Sequence, residues 1–222
     1  MNIFLIIPAY NEASAIAQVL QNLIPLGYSI ILVDDGSSDD TSGIAATFPI
    51  YTIRHPVNLG QGAALETGME AARHLSADFV VHFDADGQHD SREISVLLEP
   101  LLAGESDIVF GSRFLGNKHP GLGLIKKRIL LGGRWINYWM TGILLTDAHN
   151  GFRAMNRVAL NKIHFTQPGM AHATEILTSV RKYSLRYCER PVHILYTAYS
   201  KKKGQRISNV VNIMFHLIFK KN

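Results

Sequence analysis

The chain has 222 residues and a mass of 24.7 kDa, with 47% hydrophobic and 18% charged residues, enough apolar material for a core, so global disorder is excluded. A single cysteine, Cys188, excludes an internal disulfide framework and a four-thiolate zinc site, and fits a reducing compartment. The net charge of +4 is split: residues 1–111 hold 3 basic and 15 acidic residues (−12), residues 112–222 hold 19 and 3 (+16), which points to an anionic partner for the second half, whether phosphate, membrane surface or nucleic acid.

Along the first half, apolar runs alternate with helical periodicity. Residues 2–7 read as a buried strand, and residues 13–24 as a helix with its apolar face at Ile16, Val19, Leu20 and Leu23. Strands are expected at 29–33, 50–53, 78–83 and 107–110, and helices at 62–74 and 91–103, the latter capped by Asp90 or Ser91. Asp39 or Asp40 could cap a short helix ending at Ala46. This order predicts an α/β fold, a mainly parallel Rossmann-like sheet flanked by helices. The second half is less regular, with a short strand expected at 150–155, a helix at 172–182 and a strand at 192–197. No linker composition divides the chain, so one domain is expected over residues 1–204, followed by a basic amphipathic helix over 205–222. The N-terminal apolar run is too short for a secretory signal or a membrane span.

In parallel sheets ligands sit beyond the carboxyl ends of the strands. Five consecutive strand ends here carry polar or glycine-rich segments: PAYNE (8–12), DDGSSDDT (34–41), NLGQGAA (58–64), DADGQHD (84–90) and GSRF (111–114). Asp84 and Asp86, spaced i and i+2 beyond a buried strand, can converge on one hard divalent cation, with Gln88 adding a carbonyl oxygen. An acidic turn that only ends the strand is the plain alternative. Backbone amides around Gly60 and Gly62 could hold a phosphate at a helix start, or the glycines could simply shape a loop. Asp34 and Asp35 could accept hydrogen bonds from a ribose or base edge, or cap a turn.

In this order and spacing, PAYNE, VDDGSSDDT, NLGQGAA and FDADGQHD resemble the family 2 glycosyltransferases of GT-A fold. GSRF, DAHNGFRAM (147–155), MAHATEIL (170–177) and CERPVHILYTAYSKKKGQ (188–205) resemble their dolichyl- and polyprenyl-phosphate sugar transferase branch. The resemblance covers residues 3 to about 206. It implies that Pro8, Tyr10, Glu12, Asp34 and Asp35 line a nucleoside pocket. It places Asp84 and Asp86 at the DxD positions that hold Mg²⁺ or Mn²⁺ and the sugar diphosphate, with Gln88 as a further ligand. Arg113 and Arg153 would face the donor diphosphate or the acceptor phosphate. Gln61 stands where relatives often carry lysine.

The expected chemistry is inverting transfer from a nucleotide-sugar donor to a polyprenyl-phosphate acceptor. A phosphate monoester, with its second pKa near about 6, needs no general base. A saccharide hydroxyl acceptor, the alternative, would need one, and Asp147 and Glu175 are then the candidates. Either could equally be structural. A nucleotidyltransferase would be expected to carry a lysine-containing glycine loop after its first strand, where this chain has PAYNE. Nucleic acid is a poor partner, because the basic segments match no binding motif. His89, His149 and His172 match no zinc spacing, although His89 or His172 could touch substrate. Cys188 is read as packing. Residues 122–145 and the tail, with aromatic and apolar residues among basic ones, suit a peripheral position at the cytoplasmic face of a membrane. Either stretch could instead cover the core or form a homo-oligomer contact.

Overall fold

The structure, a computed structural model, describes residues 1–115, 138, 141–148, 150–167 and 172–195. The membrane-facing expectations for most of 122–145 and for the tail, together with His149, lie outside these residues. Among the described residues no helix is long and apolar enough to cross a membrane.

The strands are β1 (Ile3–Ala9), β2 (Ser29–Asp34), β3 (Tyr51–Arg54), β4 (Phe79–His82), β5 (Ile108–Ser112), β6 (Arg153–Asn156) and β7 (Tyr187–Pro191). They form one sheet in the order β3-β2-β1-β4-β6-β5-β7. Every pairing is parallel except those of β6, which runs antiparallel between β4 and β5. The continuous apolar runs follow from burial on both faces. Phe4 and Ile6 of β1 join one apolar cluster with Ile31, Val80 and Met155, while Leu5 and Ile7 join the other with Leu32, Val81 and Ala154.

The helices whose bounds fall within the described residues are α1 (Ile16–Leu23), α2 (Thr41–Ala46), α3 (Gln61–His74), α4 (Ile94–Leu102), α5 (Arg157–Lys162) and α6 (His172–Lys182). Pro25 converts the end of the first expected helix into a 3₁₀ turn, Ile24–Leu26. Asp39 does the capping of α2, its Oδ1 accepting from the Thr41 N–H at 3.1 Å. Asp90 caps the 3₁₀ turn that precedes α4, accepting from Arg92 N–H at 3.0 Å.

Two expectations for the second half need correction. Among the described residues the last strand is Tyr187–Pro191, and of the expected strand over 192–197, residues 192–195 form none while 196 and 197 lie outside the described residues. Ile194 makes one isolated bridge, with His89. As an edge strand β7 is only partly covered, so it tolerates Glu189, Arg190 and Pro191 and shows no apolar run. The helix α5 had no expected counterpart. Asn156 starts it by accepting from the Ala159 N–H at 3.0 Å, a capping bond that six residues of mixed polarity do not advertise.

The lower ends of β5, β6 and β7 meet at Asp107. Its carboxylate accepts from Arg186 N–H at 2.9 Å, from the Arg186 guanidinium at 2.9 and 3.2 Å, and from Asn156 Nδ2 at 3.0 Å. The Arg186 hydrogen bonds hold the Asp107 carboxyl down from 3.8 to about 2. A carboxyl depressed by folding stabilises the fold above its unfolded pKa and loses that effect as pH falls through the folded one. Asp107→Asn should therefore melt earlier than the parent at neutral pH, and the difference should fade between pH 3.8 and about 2, as thermal melts across that range would show.

Candidate active site

The loop after β1 is laced to the loop after β2. The Asn11 N–H donates to Ser37 Oγ at 2.9 Å, the Ser38 N–H to Asn11 Oδ1 at 2.9 Å, and the Glu12 N–H to Thr41 Oγ1 at 2.8 Å. Pro8 lies within β1, Glu12 is buried, and Tyr10 beside it is 45% exposed. Asp34 is fully buried at the end of β2. Its Oδ1 accepts from the Ser37 N–H at 2.9 Å, while its Oδ2 accepts no hydrogen bond among the described residues and lies 3.4 Å from Arg54 Nε. Asp35 is turned to the glycine loop, accepting from His55 Nδ1 at 2.7 Å, Leu59 N–H at 2.9 Å and Gly60 N–H at 2.7 Å. The Gly60 amide, expected at a phosphate, is thus committed to Asp35. Gly60 itself takes a φ of 97°, the left-handed side that glycine allows, and Gly62 is buried in the first turn of α3.

Asp84 and Asp86 follow β4 directly. Asp84 Oδ2 meets His89 Nε2 at 3.0 Å, and Oδ1 meets Gln61 Nε2 at 3.4 Å. His89 is fixed from its other side by stacking on Phe152, centroids 4.6 Å apart. A Cβ at Gly151 would lie 2.7 Å from Asp84 Oδ2, so a side chain in the NGFR turn would have to displace this carboxylate. Asp86 accepts from Gln88 twice, from the N–H at 3.0 Å and from Nε2 at 2.6 Å. Gln88, expected as a ligand, here buttresses Asp86.

The two carboxyls are pulled apart electrostatically. Burial opposes ionisation of Asp84, but the His89 hydrogen bond and the charges of His89, Arg153 and His172 outweigh it and hold its pKa low. Burial pushes Asp86 up, and the negative charges of Asp84 and Glu12 add to the push, against the Gln88 N–H and His89, which favour ionisation. Like-charged, acceptor-rich oxygens under this pressure fit a hard divalent cation, which would relieve it.

The cationic side is built on β5 and β6. Arg113 is gripped by Asp147 through Nε at 2.6 Å, Nη2 at 2.7 Å and its own N–H at 3.0 Å. Arg153 opens β6 and is buried, with Nε donating to the Asn150 carbonyl at 2.9 Å and Nη1 without a partner among the described residues. Burial lowers its pKa to about 10, and Asp84 and Asp147 counter this with their charge. Glu175 stands apart. Its carboxylate accepts from the backbone N–H of Thr166 and Gln167, at 3.1 Å each, and from the Thr166 hydroxyl. The structure therefore gathers Asp84, Asp86, Gln88, Arg153 and, by charge, Asp147 and Glu12 around one centre, and leaves Glu175 apart, in the first turn of α6.

Sequence reasoning passed over His82 and Asn150. His82 pairs with Arg153 across β4 and β6, neither ring nitrogen has a hydrogen-bond partner among the described residues, and burial with Arg153 and His172 pushes its pKa down to about 3. A histidine inside an otherwise apolar strand, FVVHF, was the available signal. His172 is buried on the same side, edge-on to Phe165.

The fold has solved counterparts. A crystal structure of glucosyl-3-phosphoglycerate synthase from Mycobacterium tuberculosis with Mn²⁺ and UDP-glucose matches with a TM-score of 0.72 at 21% identity, covering 98% of this chain and 76% of that one. The architecture is GT-A. An uncharacterized protein of Methanocaldococcus jannaschii is 34% identical over 99% of this chain and 92% of its own length. The UDP-N-acetylglucosamine–dolichyl-phosphate N-acetylglucosaminyltransferase of Methanococcus voltae is 33% identical over 99% of this chain and 96% of its own length. The dolichol-phosphate mannosyltransferase of Pyrococcus furiosus is 29% identical over 98% of this chain and 64% of its own length. The family model for glycosyl transferase family 2 matches residues 4–171, which spans both the acidic strand ends and the arginine-bearing β5 and β6. With these strand-end loops in that order, the chain belongs to glycosyl transferase family 2.

Proposed function

We propose that this glycosyltransferase moves a sugar, with inversion, from a nucleotide-sugar donor to a polyprenyl phosphate at the cytoplasmic face of a membrane. The observation that carries the reading is the engagement of both candidate bases. Asp147 is clamped on Arg113, and Glu175 is bound to the 166–167 backbone. A saccharide hydroxyl would need one of them free to take its proton. A phosphate monoester is mostly ionised at neutral pH and needs cations rather than a base. Arg113 and Arg153 supply these on the strands that face the acidic loops. Relatives named for transfer to dolichyl phosphate, aligned over nearly the whole chain, support the same acceptor class.

In this reading an acceptor phosphate oxygen attacks the anomeric carbon. The bond from that carbon to the donor diphosphate breaks, and a nucleoside diphosphate leaves with the electron pair. Asp34, with a buried oxygen that accepts no hydrogen bond among the described residues, and Tyr10 and Glu12 beside it frame the nucleoside, and Pro8 shapes that turn. Asp35 acts through the glycine loop it holds. Asp84 and Asp86, buttressed by His89 and Gln88, would hold Mg²⁺ or Mn²⁺, which when bound neutralises charge on the departing diphosphate. Arg113 and Arg153 draw the second phosphate toward the first.

Two outcomes test the reading. Asp86→Asn should lower transfer by about a hundredfold or more. Its melting temperature should not fall, because the change removes a like charge beside Asp84. EDTA should silence the parent, and Mg²⁺ or Mn²⁺ should restore it; full turnover in EDTA would remove the metal from the mechanism. The second test incubates the protein with undecaprenyl phosphate and a panel of nucleotide sugars that includes UDP-N-acetylglucosamine, followed by mass analysis of the lipid. A sugar joined to the lipid through one phosphate is expected. Transfer to free oligosaccharides with none to the lipid would reject the acceptor in favour of a saccharide hydroxyl.

A further inference from the structure

Glu189 sits on the edge strand β7, paired in register with Phe110 of β5, and no step of the reaction above uses it. Its half-buried side chain is nonetheless heavily engaged. One oxygen, Oε1, accepts from the Thr146 N–H at 2.8 Å, from Thr146 Oγ1 at 2.7 Å and from the Asp147 N–H at 3.3 Å. Thr146 Oγ1 also lies 2.6 Å from Ser112 Oγ, and Ser112 Oγ accepts from the Phe114 N–H at 3.1 Å. The result is a short polar chain from β7, through the 146–147 turn, to both residues that flank Arg113.

Three features make this chain more than a local brace. The turn it pins ends in Asp147, which takes Arg113 by Nε, Nη2 and the backbone N–H together. A bidentate grip of this kind fixes the plane of a guanidinium as well as its position. Asp147 is itself buried and reaches the turn through its backbone, so where its carboxylate points depends on what holds that backbone. Among the described residues, the donor groups of Thr146 and the Asp147 N–H converge on Glu189 rather than on a strand neighbour. The carboxylate, an acceptor-only group with several lone pairs, suits three converging donors.

We propose that Glu189 is a positioning residue for the transfer, holding Arg113 through Thr146 and Asp147 so that its guanidinium meets the phosphate of the acceptor. This rests on the acceptor reading above for what Arg113 meets, but not for how Arg113 is held. Glu189 touches neither substrate. Its effect reaches the reaction only through Arg113.

The test has two arms. In the first, the Arg113 Nε–H is followed by NMR, its signal identified by loss in Arg113→Lys. Exchange of this proton with water should accelerate on the order of tenfold or more in Glu189→Ala, where the turn is released. It should stay slow in Glu189→Gln, which keeps an acceptor oxygen. In the second, kinetics with undecaprenyl phosphate should show Glu189→Ala raising the acceptor KM on the order of tenfold to a hundredfold, with a smaller change in kcat. Glu189→Gln should recover most of the loss. In the Arg113→Ala background, Glu189→Ala should add little. Equal protection of the Arg113 Nε–H in the parent and Glu189→Ala would overturn the proposal, as would an equal further loss in the Arg113→Ala background. Should Glu189→Ala fail to fold, Thr146→Val carries the same two readouts, because it deletes one of the three donors. Inactivity of the parent on undecaprenyl phosphate would count against the acceptor reading, and the Nε–H exchange would still decide the role of Glu189.

Discussion

Everything in this site is arranged around a half-buried negative charge. Asp84 leaves β4 at the seam where β6 enters the sheet, and its carboxylate lies where a side chain at Gly151 would reach and is met by His89. A carboxylate taken out of water is costly unless its charge is balanced. Here Arg153, His89 and His172 hold Asp84 ionised, while Asp86 two residues on is pushed the other way by burial and by Asp84 itself. One carboxylate is thereby compensated by the protein. The second is left under uncompensated negative charge, and the proposed cation site rests on that imbalance.

The opposite charges of the two halves of the chain have a structural counterpart. The acidic loops hang from parallel strands β1, β2 and β4, in the pattern expected of ligand sites in α/β sheets. Arg113 follows the carboxyl end of β5, which runs in the same direction as β4, and the antiparallel strand β6 brings Arg153 to that same end. Reversed in direction, β6 starts where β4 finishes, so His82 and Arg153 face each other in register. A parallel strand in that place would have put Arg153 at the far end of the sheet from Asp84.

Much of this was legible in the residues. Apolar runs marked the buried strands because burial on two faces leaves no room for polar alternation, and the five polar strand ends identified the rim. What stayed hidden depends on contacts between distant segments. That Asp147 would grip Arg113, and that Asp35 would turn to Leu59 and Gly60, are pairings across more than twenty residues which no local spacing encodes. The edge strand β7 was obscured by its own exposure, since one covered side suffices for pairing while charged residues occupy the rest. His82 was passed over for the opposite reason. A single polar residue in a buried strand looks like noise until the strand beside it is known.

The insertion of β6 also governs how the chain can assemble. Its neighbours β4 and β5 are complete by Ser112, yet they do not pair with each other; each waits for a strand that begins at Arg153. During synthesis both edges stay open while about forty further residues emerge, which at translation rates of ~5–20 residues per second is a matter of seconds. Open strand edges are the sticky surfaces of nascent chains. Over the same interval Asp84 lacks the Arg153 charge and the Gly151 wall that later enclose it. The acidic rim can therefore adopt its final geometry only after the arginine strand has arrived, so a chain truncated ahead of Arg153 would keep the motifs of a glycosyltransferase without the means to close its sheet.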